Sequence, residues 1–203
     1  MSESLDWRKD QDLAIGPIKI RIPAGALYNT DAFNLFKKGD DTYVIGEAIV
    51  PLQKHMTIHW ELDSLQQREE GWFAWEYDSR GKKSALTGER EGAVLQLKTR
   101  STGSYRLDQD VKKPEVSLVK SVPTRRSNSS FKEIQVHAAD DKTGIDRYSA
   151  RIDGAFARID FDYKKDLLKV VLPKELAAGN HNLRIVVIDG VGNTTTKEYT
   201  ITL

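Results

Sequence analysis

Two loop signatures in the last third of the chain bring together residue types able to hold a cation. The first is Asp140-Asp141-Lys142-Thr143-Gly144-Ile145, followed by Ile152-Asp153-Gly154. The second is Gly179-Asn180-His181-Asn182-Leu183, then Ile188-Asp189-Gly190-Val191-Gly192-Asn193. Asp140, Asp141, Asp189 and Asn193 carry hard oxygen donors of the kind Ca²⁺ takes. The same residues have a structural use, because an Asp carboxylate accepts backbone N–H bonds two residues further on and Gly supplies positive φ. Turn-building is the reading the pattern favours, with calcium as the alternative. No dense Asp-x-Asp-x-Asp run backs the second, and the pair in Asp160-Phe161-Asp162 falls on the exposed face of a strand pattern.

Other chemistries are less well supplied. His55 and His59 are spaced as zinc ligands are on a helix. They fall on a strand pattern, where four residues span about 13 Å, too far for joint capture of one ion. His137 and His181 complete a set that reads as isolated surface or edge histidines. There is no His-x-His pair, no Gly-x-Ser-x-Gly elbow and no phosphate-binding glycine loop. The absence of cysteine rules out thiol catalysis, disulfides and thiolate metal sites. Cleavage of a glycosidic bond would need two carboxyl groups about 5–9 Å apart across a cleft. Glu61, Glu76 and Asp78 are the nearest candidates in sequence. No catalytic residue, cofactor or resident metal is expected.

The aromatic residues point to binding. Trp60, Trp72, Phe73, Trp75 and Tyr77 gather in one expected hairpin. On a strand, Phe73, Trp75 and Tyr77 share one face and Trp72 and Ala74 the other. One set is core. The other is core or inter-domain packing, a sugar-stacking platform or a protein contact. Phe73, Trp75 and Tyr77 are the expected contact surface.

The elements that must position these residues are strands. The chain has 203 residues, room for two sandwiches of about 100 residues each. Pro17–Ile22 and Met56–Leu62 alternate cleanly, with lysine, arginine and other polar side chains between the apolar ones. Further strands are expected at 43–50, interrupted by Gly46, and at 72–77, 93–99 and 104–107. Residues 29–42 read largely as a loop, and 78–82 as a turn. Asp108–Pro114 is polar, closed by proline, and reads as a linker between residues 1–110 and 111–203. After it, strands are expected at 116–119, 131–138, 146–152, 155–161, 167–172, 181–188 and 196–203, with Ser121–Ser130 as a loop. Turn signals recur roughly every 8 to 15 residues, the rhythm of an all-β sandwich. Short helices are conceivable only at 31–38, 62–70 and 174–178. The fold expected is two tandem β-sandwiches, the second immunoglobulin-like or fibronectin type III-like. Lys19, Arg21, Lys98 and Arg100 read as the solvated faces of one-sided sheets.

Thirty-one basic residues balance thirty acidic ones, so no basic surplus favours nucleic acid or an anionic membrane. No apolar run reaches the roughly 18 residues of a spanning helix. The first ten residues are polar and unlike a signal peptide, which leaves a cytosolic protein or one whose leader has been trimmed.

Three stretches carry a family resemblance: Ile22-Pro23-Ala24-Gly25-Ala26-Leu27-Tyr28, Ile45-Gly46-Glu47-Ala48-Ile49-Val50-Pro51-Leu52, and Gly103-Ser104-Tyr105-Arg106-Leu107-Asp108 through Pro114. They resemble the C-terminal tandem β-sandwich region of Bacteroidetes lysostaphin-type (LytM-like) peptidoglycan endopeptidases. The Asp-Asp-Lys-Thr-Gly-Ile and Asp-Gly-Val-Gly-Asn turns of the second half are similar to the Ig-like or fibronectin type III-like domain that closes those proteins. The family's zinc ligands, a His, an Asp and a His-x-His pair, have no match here. The resemblance therefore implies a non-catalytic accessory region in the periplasm or at the cell surface, with a linked peptidase domain or cell-wall glycan as partner.

Overall fold

The computed structural model describes residues 2–39, 41–47, 51–120, 124–125 and 132–203. The protein is all-β and forms two compact units, residues 1–110 and 111–203, each a sandwich of two antiparallel sheets.

The first unit contains β1 (Ser2–Leu5), β2 (Gln11–Ile15), β3 (Ile18–Ile22), β4 (Asp31–Lys38), β5 (Thr42–Ile45), β6 (Met56–Glu61), β7 (Trp72–Tyr77), β8 (Lys83–Leu86), β9 (Gly88–Glu91), β10 (Val94–Thr99) and β11 (Gly103–Gln109). One sheet has the order β1-β4-β5-β11-β7-β8 and the other β2-β3-β6-β10-β9. Alternation explains the second sheet directly. In β3, Ile18, Ile20 and Ile22 point inward while Lys19 and Arg21 face water. Register then sets Ile20 beside Ile58 and Ile58 beside Leu97, a buried row across three strands. Each such side chain contributes about 1.5–3 kcal/mol on burial. The opposite sheet answers with Phe33, Leu35, Tyr43, Ile45, Ala74 and Tyr105. Tyr43 meets Trp60 edge-on across the core at 5.4 Å between ring centres. The Tyr105 hydroxyl is buried but donates to the Ser101 carbonyl at 2.7 Å, and burial pushes its pKa well up.

Strand β4 corrects the expectation of a loop over residues 29–42, and it removes the helical option at 31–38. Only Phe33 and Leu35 mark the inward face, and Phe36 breaks the pattern by facing out. Pairing to β1 and β5 decides the conformation that local pattern leaves open. Strands β1, β2, β8 and β9 were also not expected. Residues 62–70 contain a single 3-10 turn, Gln66–Arg68, and no longer helix. The described part of the 43–50 strand ends at Ile45, and Ala48, Ile49 and Val50 lie outside the described residues. Gly71 shows why one glycine is needed: its φ is 81°, and a Cβ there would sit 2.1 Å from the Asp110 carbonyl oxygen.

The second unit contains β12 (Glu115–Leu118), β13 (Thr124–Arg125), β14 (Lys132–Ala139), β15 (Ile145–Ile152), β16 (Ala155–Ala157), β17 (Ile159–Asp162), β18 (Leu167–Val171), β19 (Asn180–Asp189) and β20 (Thr194–Thr202). Its sheets are β12-β14-β18-β17, with β13 paired to β14, and β16-β15-β19-β20. Ile134, Val136, Leu168 and Val170 from one sheet meet Ala150, Ile152, Leu183, Ile185 and Val187 from the other. The expected strand at 155–161 is two strands, and the chain changes sheets between Ala157 and Ile159. Residues 174–178 form turns rather than a helix. In the Ser121–Ser130 stretch, Thr124–Arg125 pairs as β13, and its other residues lie outside the described ones.

Candidate functional site

Strand β7 carries the expected contact surface, and its burial departs from that expectation. Ala74 faces the sandwich core and Trp72 packs against it. Phe73 is 0 % exposed and Trp75 only 6 %, so the opposite face is covered as well. The two rings meet edge-on at 4.9 Å. The Trp75 indole N–H donates to the Asp108 carboxylate at 2.7 Å, and the Lys83 ammonium lies 3.9 Å from its ring centre. Buried indole, carboxylate partner and cation together make a packing arrangement, and Phe73 and Trp75 offer no ring face to a ligand. Tyr77 is the member of the set that stays half-buried.

Tyr77 instead joins an open groove of about 850 Å³ on the outer face of the six-stranded sheet. Register explains the grouping: Tyr77 lies beside Ser104, Ser104 beside Val44 and Val44 beside Phe36. Phe36 is 42 % exposed. Asn34 and Glu47 edge the groove, and the Asn34 amide donates to the Glu47 carboxylate at 2.9 Å. The groove thus pairs two aromatic side chains with hydrogen-bonding groups. Phe36 escaped sequence reasoning because residues 29–42 read as a loop, and Val44, on an expected strand, joins the groove only through the non-local pairing of β5 with β4 and β11.

The carboxylates named for catalysis are dispersed. Glu61 pairs with Lys19 on the five-stranded sheet. Glu76, on the other sheet, accepts from the Thr99 hydroxyl at 3.1 Å. Asp78 accepts the Arg80 and Lys82 N–H groups at 2.9 Å each and closes the β7–β8 turn.

At one end of the second unit the two aspartate loops do come together. The Asp140 and Asp189 carboxylates approach within 4.8 Å, and the Gly190 N–H donates to the Gly144 carbonyl at 3.1 Å. Each carboxylate organises its own loop. Asp140 Oδ2 accepts N–H bonds from Lys142, Thr143 and Gly144 at 3.2, 2.9 and 2.9 Å. Asp189, 1 % exposed, accepts N–H bonds from Val191 and Asn193 at 3.0 and 2.8 Å, and the Asn193 side-chain amide at 2.8 Å. Asn193 therefore turns its NH₂ group, not its carbonyl oxygen, toward Asp189. Asp141 lies 3.6 Å from the Lys112 ammonium. In this structure Asp140, Asp189 and Asn193 build and tie turns, while Asp141 faces a lysine. In the Asp160-Phe161-Asp162 pair, Phe161 packs on the core while Asp162 pairs with Lys169 at 3.1 Å.

The histidines are not all isolated. His55 is exposed and His59 Nε2 lies 3.2 Å from the Gln96 amide. His181, at the other end of the second unit, makes two close contacts: Nδ1 to the Asp153 carboxylate at 2.6 Å and Nε2 to the Ala177 carbonyl at 2.9 Å. The hydrogen bond to Asp153 raises the His181 pKa above its usual value and lowers that of Asp153. Sequence spacing hides this pair, because the non-local pairing of β15 with β19 brings together residues 28 apart.

Sheet order, core and site geometry define an all-β protein of two sandwich domains whose polar clusters serve its turns. The Zu5-like domain family model matches residues 2–110, more than half of the chain, and the chain belongs to that family. No curated protein matches it.

Proposed function

We propose that this chain is a non-catalytic accessory region of a secreted or envelope-associated cell-wall peptidase. Its two sandwiches, the second immunoglobulin-like or fibronectin type III-like, position or target a catalytic unit. The observation that carries this reading is how the acidic side chains are used. Asp78, Asp140 and Asp189 hold turn N–H groups, and Glu61 is tied to a lysine on a neighbouring strand. That is the employment of carboxylates in a scaffold. The resemblance to lysostaphin-type tails supplies the peptidase, and with it the periplasm or cell surface.

A second reading, a carbohydrate- or peptidoglycan-binding module, is favoured by the groove of Phe36, Val44 and Tyr77 with Asn34, Glu47 and Ser104. Aromatic faces beside hydrogen-bonding side chains suit a sugar ring, and the same groove suits a protein partner of the envelope. Sedimentation with insoluble peptidoglycan separates the readings. A glycan module is retained by the pellet and released by the double substitution Phe36→Ala, Tyr77→Ala, while Phe156→Ala, at an exposed ring of the second unit, changes nothing. A positioning scaffold leaves wild type and both variants alike in the supernatant.

A further inference from the structure

We propose that His181 and Asp153 form a proton-operated clasp that fastens the strap of residues 172–179 to the end of the second unit. The chemistry follows from what the ring faces. Nδ1 meets a carboxylate oxygen at 2.6 Å and Nε2 a peptide carbonyl at 2.9 Å. Both partners are acceptors, so both ring nitrogens must donate, and only the imidazolium carries two N–H groups. Neutral imidazole satisfies one partner and sets a lone pair against the other. The clasp is therefore closed when His181 is protonated and Asp153 is ionised.

The surroundings hold the receiving side fixed. Asp153 sits in the β15–β16 turn at φ 49°. Its Oδ1 accepts the Asn182 N–H at 2.8 Å, and its own N–H donates to the Asn182 carbonyl at 2.9 Å. The carboxylate is thus anchored to β19 independently of the ring. The strap is the yielding partner. It leaves β18 after Val171, where the Leu172 N–H donates to the Lys132 carbonyl at 3.0 Å, and its further backbone bonds include Leu176 N–H to the Pro173 carbonyl at 3.4 Å and the reciprocal pair between Gly179 and Leu203 at 3.4 and 3.0 Å. The Ala177 carbonyl is the point where His181 takes hold of it.

Other charged side chains stand on β15, β19, β20 and the strap. Arg151 of β15 donates to the Gly154 carbonyl and lies 3.8 Å over the Phe156 ring. Arg184 of β19 lies 3.8 Å from Glu198 of β20, whose neighbour Lys197 sits beside Ile185. Opposite His181 on β20 is Ile201, which carries no charge. Lys174 and Glu175 are the strap's own charges, and the group bonded to Nδ1 is Asp153. The raised His181 pKa and lowered Asp153 pKa agree with this geometry, since each reflects mainly the bond between them. The strap also walls an open cleft of about 490 Å³ lined by Leu172, Leu176, Ala178, Leu203 and Lys132, so releasing Ala177 changes the shape of that cleft.

Imidazole NMR across pH 5 to 9, on the full chain, tests the clasp, with His181→Gln used to assign the ring. The expected result is a His181 midpoint above roughly 6.5, protons on both ring nitrogens below it, and return of the midpoint to that ordinary value in Asp153→Asn. Amide exchange at 176–182, corrected for its intrinsic pH dependence, should be faster above the midpoint, and Asp153→Asn should abolish the step. A His181 midpoint unmoved by Asp153→Asn, a ring carrying one proton at pH 5.5, or equal protection on both sides of the transition would each overturn the proposal.

Discussion

The two ends of the second unit solve the same problem with different donors. At one end, Asp140 and Asp189 gather backbone N–H groups and the Asn193 amide. None of those donors titrates in the range where proteins are stable. At the other end, Asp153 takes one backbone N–H and one histidine. The first arrangement is permanent wherever carboxylates are ionised. The second depends on a proton that imidazole gains and loses near neutrality. An aspartate turn and an aspartate–histidine turn look alike in outline, yet only the latter can answer to pH.

Substitution makes the contrast measurable. The largest effect is expected for Asp189→Ala, which strands three donors around a buried position and costs about 2–3 kcal/mol. Urea unfolding followed by far-UV circular dichroism reads it. Tryptophan fluorescence reports the first unit, because Trp7, Trp60, Trp72 and Trp75 all lie there, and its transition should stay in place. Asp140→Ala is more accessible and loses about 1–2 kcal/mol by the same measurement. Neither loss should vary between pH 6 and pH 9.

His181→Gln behaves differently, and its effect changes with pH. The folded-state His181 pKa is raised, so its contribution to stability is complete below about 6.5, the ordinary imidazole value, and is lost as pH rises through the folded value. The folded-state Asp153 pKa is lowered, so its contribution is complete above about 3.9 and is lost as pH falls through the folded value. The clasp therefore acts fully between about pH 4 and 6.5. Thermal unfolding should show His181→Gln lowering the midpoint at pH 5.5 and barely at pH 9. The smallest effect is expected from a calcium chelator. With Asp140 Oδ2 and Asp189 Oδ1 holding turn N–H groups, its addition should leave the thermal midpoint unchanged, whereas a bound ion would make that midpoint fall.

Much of this architecture is legible in the chain because central strands are buried on one face and solvated on the other. β3, β6 and β19 announce themselves by alternation, and the Asp and Gly turns mark where they stop. The edges are harder. β8 and β9 are four-residue strands without a buried side chain, and β4 exposes Phe36 beside Leu35. Only pairing, which is non-local, fixes them. Strand β7 misleads for the opposite reason. Alternation sorts Phe73 and Trp75 from Ala74, but it cannot say that both faces are covered. The His181–Asp153 pair was illegible because no local spacing links the start of β19 to the β15–β16 turn. By contrast, the all-β class and the turn-building role of Asp140 and Asp189 follow from residue types alone.

The proposed function has these sandwiches hold and present without cutting. Incubation of the full chain with purified peptidoglycan sacculi, with and without added zinc, tests it most directly when soluble muropeptides are quantified over time. The account predicts no release above the protein-free control under either condition. Muropeptides accumulating in proportion to the protein added would contradict it.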